Sequence, residues 1–225
     1  MSLELVNWGI SYKKDGSMKN EPDNRWLFFA KNNLDKKIII SAELVHDKKV
    51  VVVNRFKHSQ TVIGCDALIT NNPAQVLTIT VADCLPVYFY DSQKQVVALA
   101  HAGWRGLING VLLNVINSFK NDYQSAPRDI FVFIGPHIKS CHFEVKADVA
   151  TLFPDNIKIK RNQKVYLDLE LLAKQQLLDL GVLPDKITAS PDCTHCLDNK
   201  YFSYRRNRNQ DLQTMLAYIN LNNKN

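Results

Sequence analysis

Apolar positions in this chain come in two rhythms. Through the middle they form short runs rich in β-branched residues, which predict strands. These are Ala67 to Thr70, Val76 to Thr80, Val87 to Tyr90, Val96 to Ala100, and a buried strand from Ile130 to Ile134. Upstream, Lys37 to Leu44 and Lys49 to Val53 flank His46-Asp47 and predict a hairpin or two successive strands. The second rhythm is helical. Leu107, Ile108, Val111, Leu112, Val115, Ile116 and Phe119 recur on one face and predict a helix from Arg105 to Phe119. Further helices are expected over Asp23 to Asn33 and over Leu169 to Leu180, the latter stopped by Gly181. Thr214 to Leu221 reads as a last strand, and the polar tail Asn220 to Asn225 as a fraying end. With no internal repeat and no linker, the pattern predicts one mixed α/β domain of the α+β class over residues 1–225.

Composition narrows the field. The chain has 225 residues, 46% of them hydrophobic, which is ordinary globular usage and suffices for a core without disulfides. The longest apolar stretch, Val76 to Tyr90, is broken by Asp83 and Pro86, so no membrane span is expected. Met1 to Lys14 lacks the parts of a signal peptide, and the expected location is the cytoplasm. The net charge of +6 is spread over short Lys/Arg clusters, so nucleic acid is not an expected partner. Five cysteines in a reducing compartment raise the question of catalytic or metal-binding thiols.

Three residues of metal-ligand type sit beside predicted strand ends. Cys84 lies in Val81-Ala82-Asp83-Cys84-Leu85-Pro86, at a kink that Pro86 would impose. His101 opens His101-Ala102-Gly103-Trp104-Arg105-Gly106, and His46 follows Leu44-Val45. A thiolate and two imidazoles suit zinc and leave one position open, the catalytic pattern. Spacing alone leaves the alternative of a small buried core thiol. Arg105 sits at the start of the strongest predicted helix, where backbone N–H groups and a guanidinium could hold an anion. Cys193-Thr194-His195-Cys196 has the spacing of a metal clip, but Cys65 and Cys141 supply no second Cys-x-x-Cys. In Tyr201 to Arg206, alternating aromatics read as a strand with two arginines after it.

Taken in order, these segments resemble the YfiH family, long described as polyphenol oxidases or laccase-domain proteins and understood as purine nucleoside phosphorylases. The resemblance rests on Ala82 to Val87, His101 to Gly106, Ile134-Gly135-Pro136 with Cys141 and Glu144-Val145, and Cys193-Thr194 with Phe202 to Arg206. It implies a layered sandwich of mixed sheets flanked by helices, and a zinc enzyme with His46, Cys84 and His101 as metal ligands. Copper appears in older readings of the family. His58 competes with His46 as first ligand. Cys84, Asp83 and Arg105 would be catalytic, with Asp83 fixing an imidazole or acting on a purine nitrogen, and Arg205 and Arg206 would bind substrate phosphate. The implied partners are purine nucleosides and phosphate, on a chain expected to be monomeric. The implied activity is phosphorolysis of adenosine, inosine, guanosine and 5′-methylthioadenosine, with adenosine deamination.

This sequence departs from the family pattern in places. Leu44 and Asp47 replace the Gln and Gly around the first histidine, Leu212-Gln213 stands where a Gly-Arg pair is usual, and the N-terminal Gly-Gly segment is missing. Three rivals remain: a metal-free cysteine hydrolase or deamidase using Cys84 and His101, copper oxidase chemistry, and a non-catalytic binding module. Six histidines are few for a multicopper oxidase.

Overall fold

Strand runs and helical runs segregate into layers. The computed structural model describes residues 5–208 and 210–222. The first seven strands are β1 (Val6–Ile10), β2 (Ile38–Ala42), β3 (Val50–Val52), β4 (Gln60–Val62), β5 (Ala67–Thr70), β6 (Gln75–Val81) and β7 (Leu85–Asp91). After them come β8 (Val96–Ala102), β9 (Ile130–Ile134), β10 (Glu144–Val145), β11 (Lys158–Arg161), β12 (Lys164–Leu167), β13 (Ile187–Ala189) and β14 (Met215–Leu221). The helices are α1 (Pro22–Lys31), α2 (Trp104–Asn109), α3 (Val111–Tyr123), α4 (Ala147–Ala150) and α5 (Leu169–Asp179).

Two mixed sheets stack face to face. One has five strands in the order β1-β14-β6-β2-β4, the other six in the order β13-β9-β7-β8-β5-β3, and a small sheet β10-β12-β11 stands apart. Alternation along each strand divides its side chains between two cores. On β8, Val97 and Leu99 join the core between the sheets, where they meet Leu77, Ile79 and Ile219. Val96, Ala98 and Ala100 face the opposite way, onto Leu107, Val111, Val115 and Phe119 of α2 and α3. A third core packs Phe28 of α1 against Val76, Leu216 and Tyr218 on the outside of the five-stranded sheet. The result is the expected layered α+β sandwich. Among the described residues no helix is long and apolar enough to cross a membrane.

Several local expectations need correction. The helix predicted over Arg105 to Phe119 is two helices, because Gly110 between them takes φ +89, a left-handed conformation that ends one helix and starts the next. The apolar face continues across the break, which is why periodicity alone reads one helix. β2 and β3 form no hairpin, since they belong to different sheets. Pro86 does not terminate a ladder but lies inside β7, opposite His101 of β8. Tyr201 to Tyr204 is not a strand. Instead Tyr201 and Phe202 are buried in the core between the sheets. Of the predicted fraying tail, Asn220 and Leu221 pair with β1, and residues 223–225 lie outside the described residues.

Leu99 is fully buried between the two sheets. Leu99→Ala should cost about 2–5 kcal/mol, read as a fall in the denaturant midpoint at constant slope. Ile63→Ala, at a position that is 75% exposed, should change stability by less than about 0.5 kcal/mol.

Candidate metal centre and its cleft

His46, Cys84 and His101 come from three separate places and meet at one point. Their ligating atoms all lie within 4.8 Å of one another. His101 is the penultimate residue of β8, on the same face as Val97 and Leu99, so it emerges at the mouth between the two sheets. Cys84 occupies the tight turn between β6 and β7, next to Asp83, whose φ is +83. His46 sits in the connection from β2 to β3 with φ +60. The two imidazoles meet edge to face, with ring centroids 4.8 Å apart. Gly103 leaves room for all three: a Cβ there would lie 3.0 Å from Cys84 Sγ, 3.5 Å from the His46 ring and 3.7 Å from the His101 ring. His58 is exposed and stands outside this group.

One buried carboxylate organises the group. Asp66 Oδ1 accepts from the backbone N–H of His46 at 2.9 Å and pairs with His101 Nδ1 at 2.9 Å. Its Oδ2 accepts from the N–H groups of Asp47 at 2.9 Å and Val45 at 3.3 Å. Asp66 thus fixes the His46 loop and orients the His101 ring, leaving Nε2 as the ligating nitrogen. Burial would push the Asp66 carboxyl up, but the bonds from His101 and the Asp47 and Val45 amides hold it below its ordinary value.

The electrostatics favour a thiolate. Burial would raise the Cys84 thiol, yet the charges and hydrogen bonds of His101 and His46 outweigh it and hold the group at about 6. Burial would likewise lower His101, but Cys84 and Asp66 raise it to about 9. Near neutral pH the metal-free site is therefore a thiolate–imidazolium pair. Two imidazoles, a thiolate and an orienting carboxylate fit a borderline-soft divalent ion with an open position.

The group lies where two lobes of a cleft join, of about 650 Å³ and about 570 Å³. His46, Cys84, Arg105 and Tyr204 line both lobes. Arg105 is exposed and stacks on the Trp104 ring at 4.2 Å. It sits on a helix of only six residues, so the long helix expected behind it is not there. Arg205 lines the second lobe, and its Nη1 donates to the carbonyls of Glu144 at 2.8 Å and His142 at 3.3 Å.

The chain as a whole is similar to proteins of known type. Residues 4–222 match the family model for multi-copper polyphenol oxidoreductase laccase. This chain belongs to the YfiH, or laccase-domain, family. The crystal structure of the hypothetical protein YfiH of Bacillus licheniformis superposes with a TM-score of 0.86 at 26% identity, covering 96% of this chain and 92% of that one. YlmD from Geobacillus stearothermophilus gives 0.86 at 27% identity, covering 97% and 92%. By sequence, a Geobacillus stearothermophilus relative named purine nucleoside phosphorylase YlmD is 36% identical over 166 residues, 70% of this chain. Escherichia coli purine nucleoside phosphorylase YfiH is 36% identical over 149 residues, 64% of this chain. These matches span 60% and 59% of the two relatives' own lengths.

Within the YfiH framework, the structure gives Asp83 and Arg206 hydrogen-bond partners that the sequence did not foretell. Asp83 lines the second lobe, and its hydrogen bonds go to neither His46 nor His101. It accepts from Thr194 Oγ1 at 2.6 Å, Ser203 Oγ at 3.0 Å and the Arg205 N–H at 2.6 Å, so it clamps the turns beneath the second lobe. Arg206 does not line the two lobes. Its fork is taken up by the carbonyls of Thr194, His195 and Tyr201 and by Asp198, which makes it a brace for the chain. Sequence reasoning assigned no role to Asp66 or to Tyr204, an aromatic ring 52% exposed in the cleft. The one signal for Asp66 was a carboxylate placed directly before the apolar run Ala67 to Ile69.

The thiolate has a direct readout. In metal-free protein, the alkylation rate of Cys84 by iodoacetamide, followed by peptide mass spectrometry, should rise with pH through a midpoint near 6. An unperturbed thiol titrates near about 8.5. His101→Ala removes the main cationic partner and should move the midpoint upward, while added zinc should protect the residue.

Proposed function

We propose that this chain is a zinc-dependent purine nucleoside phosphorylase that also deaminates adenosine. The observation that carries the reading is that the His46, Cys84 and His101 donors lie at the junction of two lobes that share Arg105 and Tyr204. A phosphorylase must hold a nucleoside and a phosphate against each other at one point. The names of the relatives support the same class.

His46, Cys84 and His101 would hold the zinc, which supplies a Lewis acid when bound. The chain's own groups do the rest. Asp66 keeps the proton of His101 on Nδ1, so that Nε2 is free to ligate. The exposed ring of Tyr204 offers a face on which a purine can stack. Arg105 and Arg205 are the candidate phosphate forks. A phosphate oxygen forms a bond to ribose C1′ as the C1′–purine bond breaks, and the departing base takes up a proton. The products are the free base and ribose 1-phosphate. Deamination uses the same cleft, with water replacing the amine at C6 of adenosine. We further assign the chain to the cytoplasm as a monomer of one domain, consistent with the thiolate ligand.

One observation favours a second reading. Cys84, His101 and Asp66 also have the order of nucleophile, base and orienting carboxylate, the arrangement of a metal-free cysteine hydrolase. Inosine phosphorolysis measured beside zinc content separates the two. His46→Ala and His101→Ala should lose the zinc of this centre and phosphorolysis together, and His58→Ala should keep both. Turnover that survives in His46→Ala protein lacking the zinc of this centre but disappears in Cys84→Ser would favour the hydrolase.

Arg105→Lys keeps the charge and loses the planar fork. Its KM for phosphate should rise about tenfold or more, the cost of one lost bidentate contact. Adenosine deamination by the same zinc-loaded preparation should fall less, because it uses water. Equal losses in both reactions would place Arg105 with the purine pocket or the fold, leaving Arg205 as the phosphate ligand.

A further inference from the structure

A second set of ligating side chains lies outside the cleft's metal centre. Cys141 and His142 stand in a tight turn before β10, where the N–H groups of His142 and Phe143 both reach the carbonyl of Lys139 at 3.0 Å. Cys193 and Cys196 stand in a second turn, closed by the Leu197 N–H on the Cys193 carbonyl at 3.1 Å. The structure brings these turns together so that all four ligating atoms lie within 4.8 Å of one another. Cys141 Sγ is 3.6 Å from Cys193 Sγ and 3.6 Å from Cys196 Sγ. His142 Nδ1 is 3.2 Å from both Cys141 Sγ and Cys196 Sγ. Around a tetrahedral zinc, bonds of about 2.3 Å to sulfur and about 2.0 Å to nitrogen give edges of about 3.8 Å between sulfurs and about 3.5 Å between sulfur and nitrogen.

We propose that Cys141, His142, Cys193 and Cys196 form a second, structural zinc site of the Cys3His type. The missing partners of the Cys-x-x-Cys clip are thus a neighbouring Cys-His pair, contributed from some fifty residues upstream. A disulfide explains less of the arrangement. Three sulfurs leave one thiol over, and the imidazole nitrogen between two sulfurs would have no purpose. The backbone N–H groups of Lys139, at 3.4 Å, and Cys196 both donate to Cys193 Sγ, as donors do around thiolate ligands. Four protein ligands close the coordination shell, which marks the site as structural.

The staple would tie down the turns beneath the second lobe. Thr194, inside the clip, donates to Asp83 beside Cys84. Arg206 braces the carbonyls of Thr194 and His195. Arg205 reaches the carbonyls of His142 and Glu144. Zinc at this site would therefore hold Arg205 and Asp83 in place without touching substrate.

The test is metal content by mass spectrometry on the full chain, purified with a phosphine reductant. Wild-type protein should hold about two zinc ions per chain, and Cys84→Ala/His101→Ala about one. In that variant, cobalt substitution should give the visible bands of a tetrahedral thiolate site, and adding Cys141→Ala should abolish them. Should the combined variants fail to fold, Cys141→Ser in the wild-type background should lower zinc from about two to about one per chain. The proposal is overturned if Cys84→Ala/His101→Ala holds no zinc under reducing conditions. It is equally overturned if Cys141→Ser leaves the stoichiometry unchanged, or if peptide mapping finds Cys141 in a disulfide in zinc-replete protein. None of these readouts depends on phosphorylase activity.

Discussion

Asp66 is fully buried and accepts four hydrogen bonds, two on each oxygen. A buried carboxylate is tolerated only when its lone pairs are satisfied, and here the partners are the groups that build the site. Three successive amides of the His46 loop turn inward onto it, which is how a loop between strands of different sheets acquires a fixed shape. The fourth donor is the His101 ring on the neighbouring strand. An amide could not replace this carboxylate, because its NH2 would face a donor on whichever side it took. The link between the two large sheets and the position of two ligands are thus one interaction.

Asp83 does the equivalent work on the other side of Cys84. It holds an unfavourable backbone conformation for a non-glycine residue and binds Thr194, Ser203 and the Arg205 amide, all more than a hundred positions away. The turn that presents the thiol is therefore fastened to the last third of the chain. Such long-range bonds need the layers to be docked, so the geometry of the site depends on the whole fold.

The legible part of the fold follows from burial. Runs such as Val96 to Ala100 are covered on both faces, and an apolar run that short is difficult to place anywhere but in a strand. Illegible features were those set by tertiary context. Gly110 breaks a helix whose apolar stripe does not notice the break. β4 and β11 are largely exposed and polar, with little hydrophobic signal to reveal them. In the site, residue type announced Cys84 and His101, because thiols and imidazoles are few. Asp66 and Asp83 are two among 22 acidic residues, and only the structure tells which one faces the His101 ring. Arg206 looked like a phosphate ligand because sequence cannot tell a fork turned to the cleft from one spent on carbonyls.

The two readings of the centre differ in what they require of His46. A cysteine hydrolase needs a nucleophile, a base and a group to orient the base, and Cys84, His101 and Asp66 complete that set. His46 is surplus to it. Yet the chain holds His46 at φ +60, a conformation that costs a non-glycine residue of order 1 kcal/mol, and fixes its loop with three amides on a buried carboxylate. Gly103 keeps clear the space that a Cβ would take from Cys84, His46 and His101 together. A thiolate between two imidazoles is a set of donors, and its imidazolium proton is the one a divalent ion displaces on binding. What His46 costs the fold is accounted for when all three side chains serve one ion.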